Sequence, residues 1–197
     1  MHLNSIKVFK KYAQSLIKSS DSVLEIGPDT VPSTYRKIVA LDLAKWETMD
    51  FAGRTDVSID HKMNDPYLFP IADEVYDVIL AGQVCEHVGK LWRWFAELNR
   101  ICKKGGTIIL ITPITHRYHL APIDCWRIYP DAYKALCEDF GFDIILCDWI
   151  NETFPPFKAI KRKPLAQRFS ETLNLPFSIF RLPLDASFDC ILVAKKI

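Results

Sequence analysis

The chain has 197 residues, of which 49% are hydrophobic, and its 25 basic and 24 acidic side chains nearly cancel. A chain of this length and composition can bury one sizeable core, so we expect residues 1–197 to form a single domain. The balanced charge excludes the strong positive field that drives non-specific nucleic-acid binding. No nucleic-acid partner is therefore expected.

The cysteines and the N-terminus indicate the compartment. Six cysteines are scattered without a C-x-x-C pair, which favours reduced thiols over disulfides or a zinc site, and no metal is expected. The first twenty residues mix lysines with apolar residues, unlike a signal peptide, and no apolar run is long enough to span a bilayer. These features predict a cytoplasmic protein without a membrane span.

The N-terminal two thirds of the chain predict alternating helices and strands. Apolar residues recur at helical spacing in an opening helix over residues 3–20. Four apolar runs bounded by turn residues predict strands: SVLEIG, KIVALDL, YDVILAG and GTIILITP. The segment KLWRWFAELNRICKKGG, between the last two, has one apolar helical face and ends in basic residues and a glycine pair. Strand, helix and strand in this order predict a parallel sheet.

The C-terminal third predicts a loop, a helix and two strands. A proline- and aromatic-rich loop over residues 113–130 precedes a helix that starts at Pro130. The strands FDIILCDWI and SFDCILVAKKI are separated by an insertion, residues 151–186, without a clear crossover helix. Strands joined in this way tend to pair antiparallel, so the C-terminal strand is expected to run against its neighbours.

Several motifs occur in an order that resembles a known family. The first strand ends in Glu25 and Gly27, and the run ALDL supplies an acid at Asp42. The segment DPYLFPIADEVYDVIL, the EH pair of QVCEHV and the sequence KKGG follow. From Asp21 to Lys195 this pattern resembles the class I S-adenosylmethionine-dependent methyltransferases. The resemblance implies an α/β fold with a Rossmann-like, doubly wound, seven-stranded sheet, mostly parallel with an antiparallel C-terminal strand.

The resemblance also implies a cofactor and the residues that bind it. Gly27 would let the backbone approach the methionine part of S-adenosylmethionine at the switch point of the sheet. Asp42 would accept hydrogen bonds from the ribose hydroxyls. The cofactor-binding residues implied are Glu25, Gly27, Pro28, Asp29, Asp42, Leu43, Asp65, Pro66, Gly82, Gln83 and His87.

Two positions depart from the family pattern. Asp29 stands where the family has a second glycine, so its carboxylate lies near the cofactor's own carboxylate or instead faces the sulfonium or amino group. Pro66 follows the candidate adenine ligand Asp65 and lacks the N–H donor that the family uses there. Asp60 is the alternative acid for the adenine contact.

Methyl transfer to a hydroxyl requires a proton acceptor, and the sequence offers three histidines. His87 follows the fourth strand of the family pattern, where some O-methyltransferases have a catalytic histidine; the alternative is a residue that caps or packs a helix. His116 and His119, in the loop, are the other candidates. Glu86 or Asp124 would orient the histidine.

The loop also resembles a subgroup of small methyltransferases with the pattern P-x-D-x-W-R, often associated with glycans or glycolipids. Pro122, Asp124, Trp126 and Arg127 match it. These residues could contact a sugar or an aromatic acceptor, or Trp126 and Ile128 could anchor the loop to the core. The basic run KAIKRKPLAQRF in the insertion could attract an anionic acceptor or form a solvated helix face.

Three functions are compatible with these residues. The first is methyl transfer to a small hydroxyl- or amine-bearing acceptor, with a sugar or glycolipid as one class. The second is a catalytically silent cofactor-binding or scaffold protein, suggested by Asp29 and Pro66. The third is a nicotinamide-dependent oxidoreductase, against which the missing G-x-G-x-x-G and the expected antiparallel last strand argue. The oligomeric state and the methylated atom cannot be read from the sequence.

Overall fold

The computed structural model describes residues 2–43, 45–153 and 188–197. The strands are β1 Ser22–Ile26, β2 Lys45–Phe51, β3 His61–Met63, β4 Tyr76–Gly82, β5 Cys102–Pro113, β6 Phe142–Ile150 and β7 Asp189–Lys196. The α-helices are α1 Leu3–Tyr12, α2 Thr34–Val39, α3 Leu91–Ile101 and α4 Pro130–Asp139. None of the helices described is long and apolar enough to cross a membrane.

The seven strands form one sheet in the order β3-β2-β1-β4-β5-β7-β6. The pairs among β1 to β5 are parallel, and β7 runs antiparallel to both β5 and β6. The predicted fold class, a doubly wound and mostly parallel sheet with an antiparallel C-terminal strand, is confirmed.

The sheet is buried on both faces, which explains its continuously apolar strands. On one face Val23 of β1 lies in a cluster with Phe9 of α1 and Tyr35 of α2. On the other face Leu24 of β1 lies in a cluster with Trp94 of α3. Because successive side chains of a strand point to opposite faces, each strand contributes to both layers.

The second strand differs from its prediction. KIVALDL was expected to be a strand, but its first three residues complete α2 and the next four lie outside any helix or strand. The strand β2 is instead KWETMDF. Parallel neighbours need a crossover of a dozen or more residues, and a strand starting at Lys37 would leave only residues 27–36 for it. The chain satisfies this requirement by using Thr34–Val39 as the crossover helix.

Other boundaries also differ from the sequence-based expectation. The helix α1 ends at Tyr12 rather than at residue 20, and a short 3-10 helix, Gln14–Leu16, follows it. The helix α3 ends at Ile101, and the sequence KKGG already belongs to β5. The predicted insertion lies outside the described residues except for positions 151–153. Its basic run lies outside them entirely.

Candidate active site

A cleft of about 180 Å³ opens at the carboxyl ends of β1, β2 and β4. Open α/β sheets bind ligands at this edge, where the strand order reverses. The reversal here lies between β1 and β4, on either side of which the crossovers run in opposite directions. The cleft is lined by Ile26, Gly27, Asp50, Phe51, Arg54, Met63, Pro66, Gln83, Val84, His87, Val88, Trp94 and Ala121.

Gly27 forms the floor of the cleft directly after β1. Its φ is +69°, a conformation that side chains with a Cβ rarely adopt. A Cβ at this position would also come within 2.5 Å of Cγ2 of Val84 across the turn. Glycine is therefore required both for the backbone conformation and for the space above the strand end.

The rest of the turn is held from outside the cleft. Burial alone would raise the pKa of Asp29, but hydrogen bonds from the hydroxyl and N–H of Thr34 and the N–H of Thr30 hold it below its ordinary value. The carboxylate thus caps the start of α2 instead of facing the cleft. The carbonyls of Pro28 and Asp29 both accept from the Arg54 guanidinium.

Glu25 lies on the face of the sheet opposite the cleft lining. Its carboxylate is 1% exposed and accepts hydrogen bonds from the Ser33 hydroxyl and from Nε1 of Trp46 at 3.1 Å. Desolvation raises its pKa to about 7, against the effect of these two hydrogen bonds. Its expected direct contact with a cofactor is therefore not what the geometry supports, because the side chain instead joins β1 to α2 and β2.

Asp50 takes the position that was expected for Asp42. Asp42 and Leu43 precede β2, whose first residue pairs with Ser22 at the start of β1, so they lie at the opposite edge of the sheet. Asp42 is exposed there, and the expected ribose contact is wrong. Asp50 lies at the carboxyl end of β2, lines the cleft, and pairs with Nη1 of Arg54 at 2.7 Å.

The two candidate adenine acids are separated by β3. Asp60 precedes β3, and its carboxylate accepts from both N and Oγ1 of Thr48 at 2.8 Å, which holds it against β2. Asp65 follows β3 at the cleft edge, where its side chain accepts from the N–H of Tyr67. Pro66 lines the cleft. Of the two acids, only Asp65 lies at the edge of the sheet where the cleft opens.

Gly82 and Gln83 end β4 but have different surroundings. A Cβ at Gly82 would come within 2.3 Å of the Tyr35 hydroxyl, so this glycine serves the packing of α2 rather than the cleft. Gln83 lines the cleft with φ +62°, an uncommon conformation for a residue with a side chain. Its amide nitrogen donates to Asp189 at 3.0 Å, and its oxygen lies 3.0 Å from Nε2 of His2. These contacts fix the amide at the end of the sheet.

The candidate histidines lie together at the open end of the cleft. His87 lines the cleft, and its ring contacts that of His119, with centroids 4.9 Å apart. The ring of His119 in turn contacts that of His116, with centroids 4.7 Å apart. The structure therefore brings all three predicted catalytic histidines into one cluster.

Hydrogen bonds determine which nitrogen of each ring is protonated. Nδ1 of His87 lies 2.5 Å from the carbonyl oxygen of Ile123, which can only accept, so Nδ1 is the donor. Nδ1 of His119 lies 3.2 Å from the carbonyl oxygen of Arg117 and 3.4 Å from Asp124. In both neutral rings Nε2 therefore carries the lone pair.

Asp124 and its neighbours anchor the loop rather than face an acceptor. The Asp124 side chain is 1% exposed and pairs with both terminal nitrogens of Arg127, which holds its pKa below its ordinary range. Nε1 of Trp126 donates to the Val88 carbonyl at 2.7 Å, and Ile128 is buried. The loop-anchoring alternative therefore describes these residues. Asp124 lies near His119 rather than His87, so any orienting role concerns His119.

We expect Trp126→Phe to lower the free energy of unfolding by about 1–3 kcal/mol, because the buried Val88 carbonyl loses its donor. Urea denaturation of the full chain measures this change. Tyr118→Phe is the matched control, because the Tyr118 side chain in the same loop is 73% exposed. Equal stabilities of the two variants would show that Trp126 does not anchor the loop.

Sequence reasoning missed Asp50 and Arg54. The strand KWETMDF carries lysine, glutamate and aspartate, so it lacks the apolar run that marks the other strands. The length of the connection that follows β1 was the signal that could have identified this strand. Once Thr34–Val39 is assigned to the crossover helix, KWETMDF is the next segment available for a strand, and its aspartate falls at the carboxyl end.

Comparison with known proteins agrees with this geometry. Residues 30–110 match the family model described as a methyltransferase domain. A search of curated proteins finds no match.

Three solved structures illustrate the range of chains with this fold. A candidate methyltransferase from Bacillus halodurans is 16% identical, with a TM-score of 0.62 and 98% of each chain covered. Phosphoethanolamine N-methyltransferase 2 from Haemonchus contortus, solved with S-adenosyl-L-methionine, is 12% identical, with a TM-score of 0.58, 98% of this chain and 52% of that chain covered. The [4+2]-cyclase SpnF is 14% identical, with a TM-score of 0.57, 98% of this chain and 80% of that chain covered.

At these identities the solved structures show the fold alone. The order of the motifs, the seven-stranded sheet and the match of residues 30–110 to a methyltransferase domain support the assignment of the chain as a class I S-adenosylmethionine-dependent methyltransferase.

Proposed function

We propose that the protein transfers a methyl group from S-adenosylmethionine to a hydroxyl of a small acceptor that enters at the histidine end of the cleft. One observation carries the proposal: a single cleft joins the open turn at Gly27, the carboxylate of Asp50 and the imidazole of His87. The first two suit the cofactor, and the third suits the loss of a proton from an acceptor.

The residues of the cleft fit the cofactor. Gly27 lets the backbone of the turn approach the methionine part, because it places no side chain against Val84 at the strand end, and Asp50 is placed to accept from the ribose hydroxyls. The apolar side chains of Phe51 and Met63 offer a surface for the adenine ring. The buried Trp94 side chain contributes to the wall of the same cleft.

The chain's own contribution to the reaction is alignment and proton removal. The bound cofactor supplies an electrophilic methyl group on a sulfonium, and displacement at that carbon needs an aligned nucleophile. His87 is the histidine that lines the cleft, with Nδ1 fixed on the Ile123 carbonyl and Nε2 able to accept a proton. His116 and His119 lie behind it and keep the acceptor end polar.

The acceptor we favour carries a sugar. The loop resembles the P-x-D-x-W-R subgroup, and its Asp124 and Arg127 are used within the loop. The aromatic rings left on its surface are Tyr118 and Tyr129, which are 73% and 55% exposed. Flat exposed rings bind the apolar face of a sugar, while a neighbouring imidazole accepts from its hydroxyls.

The silent-scaffold alternative loses its original support. It rested on Asp29 and Pro66, but the Asp29 carboxylate caps α2 and leaves the cleft free, while Pro66 contributes an apolar wall. The cyclase SpnF is one chain with this fold that is named for a reaction other than methyl transfer, so the fold alone does not exclude a different activity.

A turnover assay with a radiolabelled methyl donor over a panel of sugars, phenols and amines tests the proposal. Label in a sugar supports it, and label confined to amines contradicts it.

We expect Asp50→Ala to weaken the binding of S-adenosylhomocysteine about 10- to 150-fold, which corresponds to about 1.5–3 kcal/mol for a charged hydrogen-bond partner. Calorimetric titration measures the dissociation constant. Asp42→Ala is the matched control and should bind like the wild type, because Asp42 lies at the opposite edge of the sheet. A larger loss in Asp42→Ala than in Asp50→Ala would contradict the site.

A further inference from the structure

The cluster at the open end of the cleft contains a carboxylate that the methyl-transfer proposal does not use. Glu86 lies beside His87 in a 3-10 helix, Cys85–His87, and is fully buried. Neither of its carboxylate oxygens has a hydrogen-bond partner among the residues that the structure describes. A buried carboxylate without a partner is costly, so a missing partner must be sought.

The groups that face this carboxylate are two imidazoles. Oε1 of Glu86 lies 3.7 Å from Nε2 of His87, beyond hydrogen-bond distance. One ligand atom each from Glu86, His87 and His119 lie within 4.8 Å of one another. The nearest cation, Arg127, is already paired with Asp124 and attracts Glu86 only at a distance.

We propose that Glu86, His87 and His119 bind a divalent transition-metal cation, with Zn²⁺ as the best-matched ion. Two histidines and one carboxylate form a known set of zinc ligands in catalytic sites, which keep a further position open. Tetrahedral ligands at about 2.1 Å from an ion are about 3.4 Å apart, so the ligand atoms, which lie within 4.8 Å of one another, need to approach by at most about 1.4 Å.

The surroundings of the three ligands favour this assignment. A histidine that binds a metal usually donates its other ring N–H to a carbonyl or carboxylate, which fixes the tautomer. His87 does so through Nδ1 to the Ile123 carbonyl, and His119 does so toward Arg117 and Asp124. No metal was expected from the sequence, because only the cysteines were considered there as ligands.

The role of the cation, unlike its binding, rests on the proposed methyl transfer to a hydroxyl, and it would replace proton removal by His87, because Nε2 of His87 would then bind the metal. A cation beside the cleft would withdraw electron density from an acceptor hydroxyl and lower its pKa, as zinc does for water. The hydroxyl proton would leave to solvent, the oxygen lone pair would form the new C–O bond, and the electron pair of the broken C–S bond would remain on the sulfur of the cofactor.

Titration of the metal-stripped full-length protein with Zn²⁺ and Co²⁺ tests the site without any activity measurement. We expect one Zn²⁺ per chain by calorimetry and a Co²⁺ spectrum typical of a four-coordinate site. Glu86→Gln and His119→Ala should each weaken binding at least tenfold. His61→Gln is the control and should not, because His61 contacts Glu47 of β2 and Tyr76 of β4 rather than the three proposed ligands.

The result that overturns the proposal is the absence of saturable binding, or binding equally strong in Glu86→Gln and the wild type. If Glu86→Gln does not fold, as a thermal melt would show, His119→Ala decides, because that side chain is 37% exposed and its loss is easily tolerated. Titration with S-adenosylhomocysteine in parallel separates the two proposals. Methyl transfer that survives a chelator would refute the catalytic role of the cation and leave the proposed function intact. Saturable metal binding without cofactor binding would support the metal site and contradict the proposed function.

Discussion

We expect His87→Ala to lower turnover by a factor of about 10² to 10⁴, the range for the loss of a general base, while the affinity for S-adenosylhomocysteine stays close to that of the wild type. The reason is position: His87 is the member of the histidine cluster that lines the cofactor cleft, with its ring fixed by the Ile123 carbonyl. Turnover is measured with a radiolabelled methyl donor and calorimetry gives the affinity.

His61, a histidine that does not line the cleft, supplies the control for this experiment. His61→Ala removes an imidazole that hydrogen-bonds to Glu47 and Tyr76, away from the cleft, and should leave turnover within a few-fold of the wild type. A loss of only a few-fold in His87→Ala would mean that alignment alone carries the catalysis, as for an amine that binds already neutral. Both roles of His87, proton acceptor and metal ligand, predict a large loss, and the effect of a chelator on wild-type turnover separates them.

The fold could be predicted to the level of its architecture because its strands are buried on both faces. That burial gives β1, β4 and β5 continuous apolar runs that stand out in the sequence. The strand β2 lies closer to the edge of the sheet, and only Thr48 and Met49 at its centre are buried, so its sequence lacks this signal. The apolar run of α2 was mistaken for the strand, so the candidate ribose acid was placed at Asp42, whereas the acid at the carboxyl end of β2 is Asp50.

The position of a site residue could be predicted where a motif determines the backbone. The hydrogen-bond partners of a polar side chain could not be predicted in the same way. Gly27 and His87, both expected at the site, line the cleft, because their positions follow from the ends of two central strands. Asp29, Asp124 and Arg127 were read as groups that face a ligand, yet each is satisfied by nearby groups of the chain. Sequence spacing does not distinguish a side chain that faces a ligand from one that is hydrogen-bonded within the chain, since both cases use the same residue types.

Glu25, which the family resemblance predicts to bind the cofactor, instead affects the stability of the fold. Its carboxylate is buried between β1, α2 and β2, and desolvation raises its pKa from 4.5 to about 7. The folded protein therefore holds this proton more tightly than the unfolded chain does. Proton linkage gives the sign of the pH dependence. The contribution of Glu25 to the free energy of unfolding is greatest below about pH 4.5 and is lost as the pH rises through about 7, because the ionised carboxylate is then buried.

We expect the stability difference between the wild type and Glu25→Gln to change by about 2–3 kcal/mol between pH 5 and pH 8, in favour of the glutamine variant at the higher pH. Glutamine keeps an acceptor for the Ser33 hydroxyl and the Trp46 indole but has no charge to desolvate. Urea denaturation at both pH values measures the difference. Glu97→Gln is the control, because its pairing with Arg100 holds the pKa of Glu97 below its ordinary value, outside this window, so its effect should not change with pH. A pH-independent difference for Glu25→Gln as well would show that Glu25 is ionised throughout and that the raised pKa is wrong.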